Sequence, residues 1–226
     1  MNNRRSFLKK SALFSAPFIL PSHIWAAKGD SSPNNRINIA IIGPGKMGRG
    51  HANFLVRNPR AQITGFAEIA DIRTKHTKEL IEKHYSKNLP GEKWKGLTIT
   101  NNYLELLEDK SLDAVLIATP DHWHGEATIR AARAKKHVYC EKPISLTIKE
   151  GRAMANAVKE NNVVFQTGSQ QRTQYGGKFR RTVEMVRSGA IGELKKIRVC
   201  VGNPPIPCDL PTEPIPAGID WDAWQG

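Results

Sequence analysis

Gly43, Gly45 and Gly48 are spaced as G-x-G-x-x-G, with Pro44, Lys46 and Met47 between them. The first glycine permits a tight turn, the second lets a pyrophosphate approach backbone N–H groups, and the third lets a helix pack closely on the preceding strand. Twenty residues past Gly48 stands Glu68, a carboxylate able to accept from both hydroxyls of a ribose. An acid there favours NAD, because it would repel the 2′-phosphate of NADP. Asp71 could take the same part, and Arg73 leaves NADP open. Lys142 lies between Glu141 and Pro143; an ammonium in such a place can donate to a reacting hydroxyl or carbonyl and stabilise negative charge as hydride moves. Taken alone it reads as an ordinary surface lysine before a turn proline.

Other polar groups are less specific. His122 and His124 flank Trp123, a spacing open to metal ligation, but no third ligand lies nearby and no metal site is expected. His124 fits a structural part or a cap for the next helix. Gln170, Gln171 and Arg172 carry groups suited to cofactor or sugar hydroxyls, and equally to solvent. Cys140, Cys200 and Cys208 show no Cys-x-x-Cys spacing, and a Cys200–Cys208 disulfide has only proximity in its favour.

The elements that must position these residues alternate. Residues 37–42 form a short β-branched run ending at the glycine turn, which predicts a buried parallel strand. Further strands are expected at 62–67, 97–100, 113–118, 137–140 and 163–167. Helices are expected at 45–57, 71–87, 102–109, 125–134, 147–160 and 176–188. Each parallel crossover needs an intervening helix, so this order predicts an α/β fold with a doubly wound parallel Rossmann sheet. Residues 193–202 read as one more strand opening a different region, and six prolines between 203 and 216 exclude regular structure there.

These residues carry a resemblance. The glycine turn, Ala118-Thr119-Pro120-Asp121-His122-Trp123-His124, Val138-Tyr139-Cys140-Glu141-Lys142-Pro143 and Arg187-Ser188-Gly189-Ala190-Ile191-Gly192-Glu193 occur in the order found in the Gfo/Idh/MocA oxidoreductases, which the chain resembles from about residue 36 to 226. The resemblance implies a Rossmann domain, 36–168, followed by the start of an α/β substrate domain, 169–226. It implies an NAD(P)-dependent oxidoreductase of sugars or polyols, or a glycosidase that uses bound NAD transiently, or else a nucleotide-binding remnant without turnover. Lys142 is the implied catalytic residue and touches cofactor and substrate, with the bond before Pro143 often cis. The implied cofactor set is Gly43, Gly45, Lys46, Met47, Gly48, Glu68, Thr119, Pro120, His124, Glu141 and Lys142, with Arg172 toward substrate and Thr119-Pro120 along the nicotinamide ribose. Family members continue past the segment matched by Trp221-Asp222-Ala223-Trp224-Gln225-Gly226 into a stretch supplying a catalytic Asp and His, so the sequence is expected to be the N-terminal portion of a longer protein, homo-oligomeric when complete.

The remaining features concern address and class. Arg4-Arg5 before an apolar run at 11–20, too short to span a bilayer, predicts a twin-arginine signal over 1–27, a linker at 28–35 and an exported, periplasmic protein that meets the membrane only during export. The 226 residues are 39% hydrophobic and 24% charged, a globular balance that excludes a disordered chain. Net charge is +13, but the basic residues are scattered without RNP-like aromatics or zinc-finger spacing, so no nucleic-acid partner is expected.

Overall fold

The computed structural model describes residues 36–88, 96–170, 175–203 and 206–226. The expected signal peptide and linker, and Gln171 and Arg172, lie outside the described residues.

Six parallel strands form one sheet in the order β3-β2-β1-β4-β5-β6: β1 Ile37–Ile42, β2 Ala61–Ala67, β3 Thr98–Thr100, β4 Ala114–Ile117, β5 His137–Glu141 and β6 Phe165–Gly168. This is the α/β Rossmann fold that the alternation predicts. Helices follow the strands: α1 Lys46–Leu55, α2 Asp71–Tyr85, α3 Tyr103–Glu108, α4 His124–Arg133, α5 Ile148–Asn161 and α6 Lys178–Arg187. Strand order reverses between β1 and β4, which opens a crevice at the carboxyl ends of those two strands.

The pleat sorts the core into two faces. Ile41, Ile63, Phe66 and Leu116 pack with Ala52 of α1, Val56 at its C-cap and Ile81 of α2. Their neighbours Ala40, Ile42, Val115 and Ile117 pack on the other face with Leu106 and Leu107 of α3 and Ala127 and Ala131 of α4. Both faces are covered, so β1 and β4 end in uninterrupted buried runs in place of an apolar–polar alternation. Helix starts follow local chemistry: the Asn102 side chain accepts from the Leu104 N–H, and Thr147 accepts from the Glu150 N–H while Glu150 accepts from that of Leu146.

One expected element is not there. Residues 193–202 form no strand: Leu194, Ile197, Val199 and Val201 lie exposed along an irregular segment. Alternating apolar residues fit a pleat, but a strand also needs a neighbour's N–H and C=O groups, and none of the described residues supplies them. The structure instead forms a short helix that the sequence did not announce, α7 Trp221–Gln225, capped by Asp220, whose carboxylate accepts from the Ala223 N–H. Cys140, Cys200 and Cys208 are all free thiols, so no Cys200–Cys208 bond forms.

Candidate functional site

β1 delivers the chain to the glycine turn at the crevice. Gly43 has a φ of +75°, open to glycine at no steric cost, and a Cβ there would come within 2.7–2.9 Å of Thr119 at the end of β4. A Cβ on Gly48 would sit 2.7 Å from the Gly43 carbonyl, so α1 lies directly on the turn because residue 48 has no side chain. Gly45 lines the crevice and caps α1 without a side-chain bond, which leaves first-turn N–H groups, those of Lys46 and Met47 included, for an anion. The Met47 side chain is half exposed.

The crevice holds a cavity of about 320 Å³. Glu68, buried at the exit of β2, is part of its wall together with Arg73. Glu68 Oε1 accepts from the backbone N–H groups of Ile69 and Ala70, both at 3.0 Å. Burial pushes its carboxyl above the usual range, and those two bonds with the charges of Arg73 and Arg49 only partly offset this. Asp71, the other candidate acid, opens α2, and its side chain is no part of the cavity wall. Asn101, Asn102 and Tyr103 contribute from the exit of β3, and Thr119, Pro120 and Trp123 from the exit of β4. The Thr119 hydroxyl oxygen is buried without a hydrogen-bond partner among the described residues.

Lys142 is exposed just beyond the carboxyl end of β5, and its bond to Pro143 is cis. It is not part of the cavity wall, but two buried groups fix the chain on either side of it. Glu141 accepts from His51 Nε2 of α1 at 2.7 Å and from Gln170 Nε2 at 3.2 Å. Burial alone would raise its carboxyl, but the bonds from His51 and Gln170 outweigh burial and hold it below the usual range. His124, of the expected cofactor set, is not part of the cavity wall. Its ring is buried, with Nδ1 2.6 Å from the Pro143 carbonyl oxygen and Nε2 2.9 Å from that of Thr119, so both nitrogens face carbonyl oxygens of the protein. It ties the Lys142-Pro143 loop to the exit of β4, the structural alternative left open for it.

Sequence reasoning missed Tyr103, Trp123 and Trp224 in the cavity wall and His51 beside Glu141. His51 lies ninety residues from its partner and Trp224 about a hundred from Trp123, and no local spacing marks such pairs. Among the described residues no three His, Cys, Asp or Glu side chains come together as a metal cluster.

A glycine turn at a helix start, a buried acid at the exit of β2 and a hydroxyl at the switch point with no partner among the described residues are the features of a dinucleotide-binding Rossmann domain. The comparisons agree. The oxidoreductase family with an NAD-binding Rossmann fold, Gfo/Idh/MocA, matches residues 37–169, and the chain belongs to that family. It is 31% identical over 176 residues to a myo-inositol 2-dehydrogenase of Thermotoga maritima, covering 76% of this chain and 48% of that one. It is 26% identical over 213 residues to a glycosyl hydrolase family 109 protein of Shewanella pealeana, covering 85% of this chain and 44% of that one. A myo-inositol 2-dehydrogenase structure from Lactobacillus plantarum superposes with a TM-score of 0.57 at 29% identity, over 70% of this chain and 43% of that one. The chain thus spans a little under half the length of these relatives.

Proposed function

We propose that the chain is the cofactor-binding part of an NAD-dependent oxidoreductase that moves a hydride between nicotinamide and a sugar or cyclic polyol. The observation that carries it is the juxtaposition of the glycine turn, Glu68 and the unpartnered Thr119 hydroxyl around one cavity. When bound, the dinucleotide supplies the ring that accepts or returns the hydride. The N–H groups at the start of α1 hold the pyrophosphate, and the free oxygen of Glu68 accepts from the adenosine ribose, favouring NAD over NADP. The Thr119 hydroxyl takes the hydrogen bond its burial demands from the cofactor. Lys142 holds a proton at the reacting substrate oxygen and stabilises the charge that develops there. The inositol dehydrogenases among the relatives favour a polyol or sugar substrate. A twin-arginine signal, export to the periplasm and a homo-oligomeric complete protein belong to the same reading.

The test is calorimetry with NAD and NADP on the chain, expected to show tighter binding of NAD, followed by NADH formation with myo- and scyllo-inositol in a chain extended to its relatives' length. Equal binding of the two nucleotides would remove the part assigned to Glu68. The longer alignment with the glycosyl hydrolase family 109 protein favours a second reading, sugar cleavage with NAD only transiently reduced. Release of an aryl leaving group from a glycoside with no net NADH would decide for it.

A further inference from the structure

The wall of the nucleotide cavity is not built by the Rossmann elements alone. Residues 218–226 cross its mouth from the exit of β2 to the exit of β4. At the first end the Asp71 N–H donates to the Gly218 carbonyl at 2.9 Å, the Asp220 N–H donates to that of Ile69 at 3.2 Å, and Ala70 and Ile219 form an antiparallel bridge. Gly218 enters with a φ of +75°, and a Cβ there would lie 3.1 Å from the Asp71 carboxylate, so the segment joins here through glycine. At the other end the Trp224 carbonyl accepts from His122 Nε2 at 2.6 Å and from Trp123 Nε1 at 3.2 Å, and the His122 ring meets the Trp224 ring edge-on at 5.2 Å. Between these anchors Asp220, Ala223 and Trp224 line the cavity together with Glu68 and Tyr103.

We propose that residues 218–226 form a built wall of the adenosine subsite, with Trp224 as the residue that closes it over the adenine. This rests on the nucleotide reading of the cavity and extends it to a segment beyond the family match, which ends at residue 169. The chemistry of the lining suits a purine. Tyr103, Trp123 and Trp224 supply flat aromatic surface for a base, and the Asn101 and Asn102 residues beside them bring amide donors and acceptors for its edge. The wall is anchored within the chain, by backbone bonds at one end and by the His122 and Trp123 bonds to the Trp224 carbonyl at the other, so little of it is left for a nucleotide to order. Removing it would open the adenine to water on that side and leave the pyrophosphate turn untouched.

The test uses the 226-residue chain and calorimetry with three probes, NAD, AMP and nicotinamide mononucleotide. Trp224→Ala is expected to weaken AMP and NAD about tenfold or more, the effect of losing one aromatic partner of a base. Trp224→Phe should recover most of that loss. His122→Phe, at a residue outside the cavity wall, should weaken AMP several-fold by releasing the Trp224 anchor. Nicotinamide mononucleotide should bind all variants as it binds the parent. AMP affinity unchanged in both Trp224→Ala and His122→Phe would overturn the wall while leaving the nucleotide site standing, and so would an equal loss for nicotinamide mononucleotide. A parent chain that binds none of the three probes would overturn the nucleotide reading itself, and this inference with it.

Discussion

Glu68 pays for its place in the site with stability. Its carboxyl is raised by burial, so the folded chain holds that proton more tightly than the unfolded chain. The cost is therefore full above the raised value and is relieved as pH falls through it. Glu68→Gln should make the ligand-free protein more resistant to urea at neutral pH while weakening NAD about tenfold, the effect of losing a hydrogen bond to a charged acceptor. NAD affinity of the parent should fall on acidification while the pH is still above the ordinary carboxylate range, and the variant should lack that fall. Calorimetry across pH reads both. Glu141 has the opposite sign. His51 and Gln170 hold its carboxyl low, so its stabilisation is present above the unfolded value and is lost as pH falls through the folded one. His51→Ala should cost about 2 kcal/mol in urea unfolding at neutral pH, with a smaller loss in acid.

Among the elements, the close approach of α1 to the turn is the most sensitive feature. Gly48→Ala would press a methyl against the Gly43 carbonyl, and the helix must lift or the turn must open. A stability loss of about 1–3 kcal/mol is expected, with weaker NAD binding because the N-terminal N–H groups move with the helix. Thermal unfolding with and without NAD would separate the two effects. This element was legible in the sequence because the glycine spacing and the β-branched run before it are local signals that agree. The six strands were legible for the same reason. Residues 193–202 were not, since alternation reports which side chains fit a pleat and says nothing of whether a neighbouring strand exists. The site divided in the same way: Glu68 and the glycines follow from spacing, whereas the His51–Glu141 pair and the Trp224 wall come from contacts the chain makes only after folding. The sequence left His124 open to a structural part and to the cofactor set alike, and its buried ring between two carbonyl oxygens comes from contacts made only after folding.

At the scale of the whole molecule, the topology places the two halves of the proposed chemistry on different strands. The pyrophosphate turn follows β1 and the adenosine wall follows β2, β3 and β4, while Lys142 follows β5, beyond the switch point and outside the cavity wall. Binding and turnover should therefore separate under mutation. In a chain extended to the length of its relatives, Lys142→Met keeps the aliphatic stem and removes the ammonium, so NAD affinity should stay within about threefold of the parent while kcat falls by about a hundredfold or more, the range of a lost general acid or base. KM for the polyol should change far less than kcat if the ammonium acts chiefly on charge that develops as hydride moves, because such an interaction is weak in the ground state. Gly45→Asp, by contrast, places a carboxylate in the space for the pyrophosphate and should abolish binding of NAD while leaving the fold intact, since a Cβ there meets nothing closer than the Arg73 guanidinium at 3.9 Å. Full activity of Lys142→Met would take that residue out of the mechanism, and loss of NAD binding in the same variant would place its ammonium on the cofactor instead of on the reacting oxygen.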